Sequence, residues 1–106
     1  MNRLDYIFKK WDLDRWRNGF GAAKKQFLTY EVWADDYGKE LRTLINRRIS
    51  MRVSQRMLSE AFDCSRDTIK NYEARSVKDD WRFIYTANYI LDKYKEHLIQ
   101  FANGEV

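Results

Sequence analysis

The chain has no proline, one cysteine, one histidine and only four glycines among its 106 residues. Because proline is absent and glycine is rare, little in the backbone interrupts long helices. The single Cys64 excludes an internal disulfide framework, and Cys64 with the single His97 supplies too few ligands for a dedicated zinc site. The sequence has no run of about 18 apolar residues and no apolar signal-peptide core at its start. We therefore expect a helical, cytoplasmic protein without a membrane span, metal ion or cofactor.

Residue combinations typical of catalysis are also missing. His97 is the only histidine, and its neighbours in sequence are mostly charged, so we predict a surface or interface position rather than a general base. Carboxylate pairs occur only as adjacent residues, at 35–36 and 79–80, and adjacent side chains point in different directions on a helix. Gly19 and Gly21 lack the rest of a phosphate-binding loop. We expect no catalytic residue and no enzymatic activity.

The composition is that of a folded protein. Hydrophobic residues make up 44% and aromatic residues 16% of the chain, which argues against disorder. A length of 106 residues is enough to bury one core but not two. The sequence therefore predicts a single all-α domain over residues 1–106.

Positive charge is concentrated in the middle of the chain. The formal net charge is +4 overall, but residues 42–78 contain nine basic and four acidic side chains, a local charge of +5. The remainder is close to neutral. Such a segment fits the phosphate backbone of a nucleic acid, although a solvated basic face gives the same pattern.

Helical spacing organises the N-terminal third. Leu4, Ile7, Phe8 and Trp11 share one face of a predicted helix over residues 2–11, and residues 18–21 form the clearest predicted loop. Residues 29–33 are rich in strand formers, so a hairpin is the alternative there. A break or kink is expected at Gly38. Apolar residues before and after that glycine recur at spacings of three and four, as in a heptad seam: Phe27, Tyr30, Ala34, Tyr37, Leu41 and Leu44.

Residues 54–75, SQRMLSEAFDCSRDTIKNYEAR, predict two short helices with a tight corner between them. Apolar residues recur at helical spacing on both sides of a polar break at residues 63–65. Ser54 and Ser65 each precede a helix and are predicted to cap it through their hydroxyls.

This segment resembles the helix-turn-helix of the lambdoid phage repressor and Cro family, also called the xenobiotic-response-element family of bacterial regulators. The resemblance extends back through GKELRTLINRR, so that it covers residues 38–75. Asp63 stands where the family usually has a glycine with positive φ, a conformation that aspartate tolerates better than most residues. The matching positions are Ser54, Gln55, Ser59, Ser65, Arg66, Thr68, Ile69, Tyr72 and Glu73.

The resemblance implies a dimeric, sequence-specific DNA-binding regulator, most simply a repressor, that places the helix at residues 65–75 in the major groove. Arg66, Asp67 and Asn71 then occupy base-reading positions, although Asp67 is equally well explained as an acid at a helix start. Glu73 resembles a structural glutamate, with Arg47 or Arg48 as its expected salt-bridge partner. Candidate phosphate contacts, by resemblance or by chemistry, are Arg52, Ser54, Gln55, Arg56, Ser65, Thr68, Lys70 and Arg75.

The parts outside the resemblance are an N-terminal helical extension at residues 1–37 and a long C-terminal helix at residues 79–103, flanking a core at 38–78. The C-terminal helix is apolar around much of its circumference, so it must be covered on more than one side. Its aromatic side chains are candidates either for intramolecular core or for a homodimer interface: Trp81, Tyr85, Tyr89, Tyr94 and Phe101.

A second hypothesis comes from a different class of function. The chain would be a phage or mobile-element protein that uses this fold and its aromatic helices to bind and inhibit a host protein. Aromatic side chains dominate the hot spots of protein interfaces, so exposed tryptophans would favour this hypothesis. The candidates are Trp11, Trp16, Trp33 and Trp81.

Overall fold

The computed structural model describes residues 3–18 and 34–102, with side chains at 3–11 and 34–100. These residues form five helices and no strand, which confirms the predicted all-α class for this part of the chain. Residues 19–21 of the predicted loop at 18–21 and the whole alternative hairpin at residues 29–33 lie outside the described residues, as does Phe27. The helices are α1 (Arg3–Asn18), α2 (Asp36–Ser50), α3 (Gln55–Phe62), α4 (Arg66–Glu73) and α5 (Trp81–Ala102).

Two predicted helix ends are wrong. Helix α1 continues to Asn18 instead of ending near residue 11. Helix α2 begins before Gly38, because the Asp35 carboxylate accepts a hydrogen bond of 2.7 Å from the Gly38 backbone N–H and so caps the first turn. Gly38 therefore lies buried within α2 and does not break it. An Asx-type cap outweighs the low helix propensity of a single glycine.

The corner between α3 and α4 follows the sequence closely. The Ser54 and Ser65 hydroxyls cap α3 and α4 by accepting hydrogen bonds from the backbone N–H groups of Met57 and Thr68, as predicted. Asp63 ends α3 in the left-handed conformation, with φ 58° and ψ 45°. The chain reverses within residues 63–65, so the two helices form a compact α3–α4 unit.

One hydrophobic core joins all five helices. Its centre includes Trp11 of α1, Leu41 of α2 and Leu58 of α3, each with no exposed surface. Ile69 of α4 is equally buried. Helix α5 spans the core, as its apolar pattern predicted, and the Asp80 carboxylate accepts a hydrogen bond from the Arg82 backbone N–H at its start.

Packing of α1 on α5 changes the expectation for two side chains. Tyr94 is not a subunit-contact residue, because it is fully buried and its ring lies 5.3 Å from Trp11 and 5.9 Å from Phe8. His97 is not a surface residue: only 7% of it is exposed, and its ring lies 5.8 Å from Phe8. The sequence did not indicate which element packs against these two side chains. In the structure that element is α1.

Candidate nucleic-acid interface

Helix α4 separates buried from exposed side chains clearly. Ile69 and Glu73 have no exposed surface, and the ring of Tyr72 stacks on Phe83 of α5 with centroids 4.5 Å apart and planes 7° apart. These contacts fix the inward side of the helix. Four polar residues of α4 are exposed: Arg66, Asp67, Lys70 and Asn71.

The exposed residues form one continuous face, called here the α4 face. Arg66 and Lys70 are four residues apart, as are Asp67 and Asn71, so each pair lies on neighbouring turns of the same side. The face therefore brings together a guanidinium, an ammonium, an amide and one carboxylate. The structure thus groups all three predicted base-reading residues with Lys70 on a surface open to solvent.

The start of α4 is occupied by its own cap. The Ser65 hydroxyl accepts from the Thr68 N–H at 3.2 Å and lies 3.0 Å from the Thr68 hydroxyl. Thr68 is half-buried, whereas Ser65 is exposed. The positive end of the helix dipole and the remaining backbone N–H groups lie at this end, an environment that favours anions.

A buried ion pair fixes the α3–α4 unit against α2. The Arg48 guanidinium donates two hydrogen bonds of 2.7 Å to the Glu73 carboxylate and one of 2.8 Å to the Val53 carbonyl. Arg48 is thus the partner of Glu73, while Arg47 bonds to Asn88 and pairs with Asp92 on α5. The predicted structural salt bridge of Glu73 is confirmed, and it anchors the inward side of α4.

Gln55 belongs to the same network. Its amide N–H donates to the Glu73 carboxylate at 3.1 Å, so the first residue of α3 is tied to the last residue of α4. Arg56, beside it, is exposed and carries a looser pair with Glu60 at 3.8 Å. Arg52 precedes α3 with a positive φ of 60° and is also exposed. The start of α3 therefore presents basic side chains next to a fixed glutamine.

Arg75 is engaged by carboxylates, contrary to the expectation of a phosphate contact. Its guanidinium bonds to Asp35 at 2.6 and 2.9 Å and to Asp79 at 2.8 and 3.0 Å, and it lies over the Tyr37 ring. These bonds raise the pKa of Arg75 and hold the pKa of Asp35 below its usual range. A phosphate would have to displace two carboxylates, so we remove Arg75 from the phosphate candidates.

Helix α1 reaches the corner of the α3–α4 unit, a contact that no spacing in the sequence indicates. Arg3 lies 2.9 Å from the Asp63 carboxylate, and Lys10 lies 3.4 Å from the Glu60 carboxylate. The Arg3 hydrogen bond lowers the pKa of Asp63. The seven-residue spacing of Arg3 and Lys10 places both on one side of α1, but their partners are 60 and 50 residues away in the chain.

Three exposed aromatic side chains line α5 at four-residue intervals: Trp81 at 39% exposure, Tyr85 at 66% and Tyr89 at 54%. The Trp81 and Tyr85 rings stack with centroids 5.9 Å apart, and the Lys93 ammonium lies 5.6 Å from the Tyr89 centroid. This row is called here the aromatic stripe. Trp11 is not exposed, and the side chains of Trp16 and Phe101 lie outside the described part.

Comparison with protein-family models, with curated proteins and with solved structures gave no match. Within residues 3–18 and 34–102, no helix combines the length and apolar character of a membrane span, and no three His, Cys, Asp or Glu side chains group as ligands for a metal ion. A functional assignment therefore rests on the chain's own charges and geometry.

Proposed function

We propose that the protein is a sequence-specific DNA-binding transcriptional regulator that reads the major groove with α4. The observation that carries the proposal is the α4 face, where Arg66, Lys70 and Asn71 are exposed on a helix that the buried Arg48–Glu73 pair ties to α2. A reading helix needs both properties, because its side chains must reach base edges while its orientation stays constant.

Each residue of the face has a chemical role in the proposal. Arg66 would donate two hydrogen bonds to guanine, and Asn71 would pair with adenine through its amide. Asp67 would accept from cytosine or orient Arg66. Lys70, as a flexible point charge, suits a phosphate oxygen better than a base edge.

The start of α3 and the start of α4 supply the proposed backbone contacts. Both ends carry serine caps, and both present the positive end of a helix dipole. Gln55 remains in this set, with its orientation supported by the bond to Glu73. The proposed phosphate contacts are Arg52, Ser54, Gln55, Arg56, Ser65, Thr68 and Lys70.

We further propose that the protein acts as a homodimer and represses transcription. One unit of this size makes few base contacts, and a twofold dimer doubles them on half-sites about one turn of DNA apart. Trp81, Tyr85 and Tyr89 would form the subunit contact, since large aromatic side chains exposed in a row are typical of interfaces. Repression follows from the family resemblance.

The experiment is selection of bound duplexes from a random DNA pool at near-physiological salt. We expect an inverted repeat to be enriched by the wild-type protein and by a Lys95→Ala control, which removes an exposed lysine of α5. The Arg66→Ala protein should lose this selectivity, because one bidentate contact supplies about 1 to 3 kcal/mol of discrimination. Equal losses on selected and random duplexes would refute base reading by Arg66.

Lys70→Ala tests the division between base and phosphate contacts. Removing one phosphate contact should weaken binding to selected and random duplexes by a similar factor and lower the salt slope by about 0.9. A loss confined to the selected sequence would assign Lys70 a base-reading role instead.

The aromatic stripe also supports a second candidate function, the binding and inhibition of a host protein. Charged residues near the stripe are of mixed sign, including Asp80, Arg82, Asp92 and Lys93, which suits a protein surface better than a nucleic acid. If the folded protein enriches no duplex, this candidate is favoured. Simultaneous Tyr85→Ala and Tyr89→Ala changes should then abolish the inhibitory contact while leaving the core intact.

A further inference from the structure

Helix α1 lies outside the segment that resembles a DNA-binding motif, yet it contacts that segment through charge. Arg3 pairs with Asp63 at 2.9 Å and donates to the Glu60 carbonyl at 3.4 Å. Lys10, two turns along the same helix, pairs with Glu60 at 3.4 Å. Both acids of the corner are thus held by cations that α1 supplies.

The position of these acids makes the contact important for nucleic-acid binding. Asp63 lies three residues before Arg66 in the chain, and Glu60 lies one turn earlier in α3, so both acids immediately precede the proposed reading helix. A carboxylate near a phosphate backbone opposes binding by charge repulsion.

A count of acids within the α3–α4 unit supports the same view. The unit contains four acidic residues, and Glu73 is neutralised by the buried Arg48. Of the two at the corner, Asp63 is paired by Arg3 of α1, and Glu60 is paired by Lys10 of α1 together with the looser Arg56 contact. Only Asp67, on the α4 face itself, has no salt bridge within the described residues.

Stability does not account for the Arg3–Asp63 pair. The Arg3 and Asp63 side chains are 57% and 78% exposed, and exposed ion pairs contribute little to folding because water screens them. This ion pair matters more for the approach of a polyanion to the corner than for folding. Without its cation, one carboxylate would repel several phosphates at once.

We propose that α1 is an electrostatic part of the DNA-binding surface, in which Arg3 and Lys10 neutralise Asp63 and Glu60 so that the corner can approach phosphate. This inference rests on the proposed function and assigns α1 a role in it. Arg3 is a positioning and shielding residue that acts through Asp63 and does not itself contact a base.

The test measures affinity for the selected duplex over a range of salt concentrations. Arg3→Ala should weaken binding about threefold at low salt, an effect that shrinks as salt screens the exposed carboxylate. Asp63→Asn in the same chain should restore the affinity, because asparagine removes the charge and tolerates the left-handed φ of 58°. Lys9→Ala removes the same charge from α1 without breaking an ion pair among the described residues, and serves as the control.

The outcomes separate this inference from the proposed function. Restored affinity in the double variant, with unchanged thermal unfolding of Arg3→Ala, supports shielding. Persistent loss in the double variant, with a salt slope lowered by about 0.9, identifies a direct phosphate contact and overturns shielding. Normal affinity of Arg3→Ala also overturns the inference and leaves DNA binding standing. Absence of DNA binding by folded wild-type protein overturns both.

Discussion

Two arginine–carboxylate clusters of similar geometry differ mainly in burial. Arg48 bonds to Glu73 at 2.7 Å, and both side chains are almost completely buried. Arg75 bonds to Asp35 and Asp79 at 2.6 to 3.0 Å, but those carboxylates are 60% and 41% exposed. Similar hydrogen bonds therefore operate in two different dielectric environments.

The difference shows which cluster specifies the orientation of α4. An isolated buried charge is expensive, so the Arg48–Glu73 pair allows only arrangements of α2, α3 and α4 that keep both groups together. The Arg75 cluster joins the end of α4 to the start of α2 and to the segment before α5, but water replaces part of each lost bond. Burial thus makes the first cluster a constraint and the second a modest stabiliser.

Breaking the buried cluster from one side should have the largest effect. We expect Glu73→Ala to lower the free energy of unfolding by about 3 to 5 kcal/mol, because it leaves the Arg48 guanidinium buried without its counter-ion. Denaturant unfolding measures this loss. The double variant Arg48→Met with Glu73→Leu should recover most of it, and failure to recover would show that the pair is stabilising in itself.

Breaking the exposed cluster should cost less. We expect Arg75→Ala to lower the free energy of unfolding by about 1 kcal/mol, since most of its bonds are exchanged for bonds to water. Arg75→Gly should be less destabilising than Arg75→Ala, because glycine adopts the φ of 57° without strain. If Arg75→Ala lowered the free energy of unfolding as much as Glu73→Ala, burial would not explain the difference between the two clusters.

The acid dependence of stability gives the smallest expected effect. Folding lowers the pKa of Asp35 through the Arg75 hydrogen bond, so its contribution is complete above the unfolded pKa of about 3.9 and is lost as the pH falls through the lower folded value. Asp35→Asn keeps the helix cap and removes the charge. We expect the free energy of unfolding of the wild type to exceed that of this variant at neutral pH, and the two values to converge in acid. If the gap between them did not depend on pH, the Asp35 charge would not be its source.

Local features of the fold could be predicted because their causes are local. The caps at Ser54 and Ser65 depend on hydroxyls next to the first free N–H groups, and the positive φ of Asp63 depends on a three-residue corner. Helix α5 was predictable because apolar residues recur at helical spacing along its whole length. The extent of α1 and the start of α2 were missed because the first has weak periodicity beyond Trp11 and the second depends on a cap at Asp35.

The candidate site divides in the same way. Arg66, Lys70 and Asn71 lie on the outward side of one short helix, whose Ile69 and Glu73 are buried. The sequence left Tyr94 open between core and interface, predicted a surface or interface position for His97 and gave no carboxylate partner for Arg75. Each outcome depends on an element distant in sequence: α1 covers the first two, and Asp35 reaches Arg75 across 40 residues.

By itself the sequence determined the helical class, the caps, the corner and the inward and outward sides of α4, because helical periodicity and capping act over a few residues. Only the tertiary structure decided that Arg48 rather than Arg47 pairs with Glu73, that Asp35 and Asp79 engage Arg75, and that α1 supplies cations to the corner. Those pairings depend on the relative placement of whole helices, which packing in one buried core fixes. The spacing of residues shows which side of a helix is buried, but not which helix covers it.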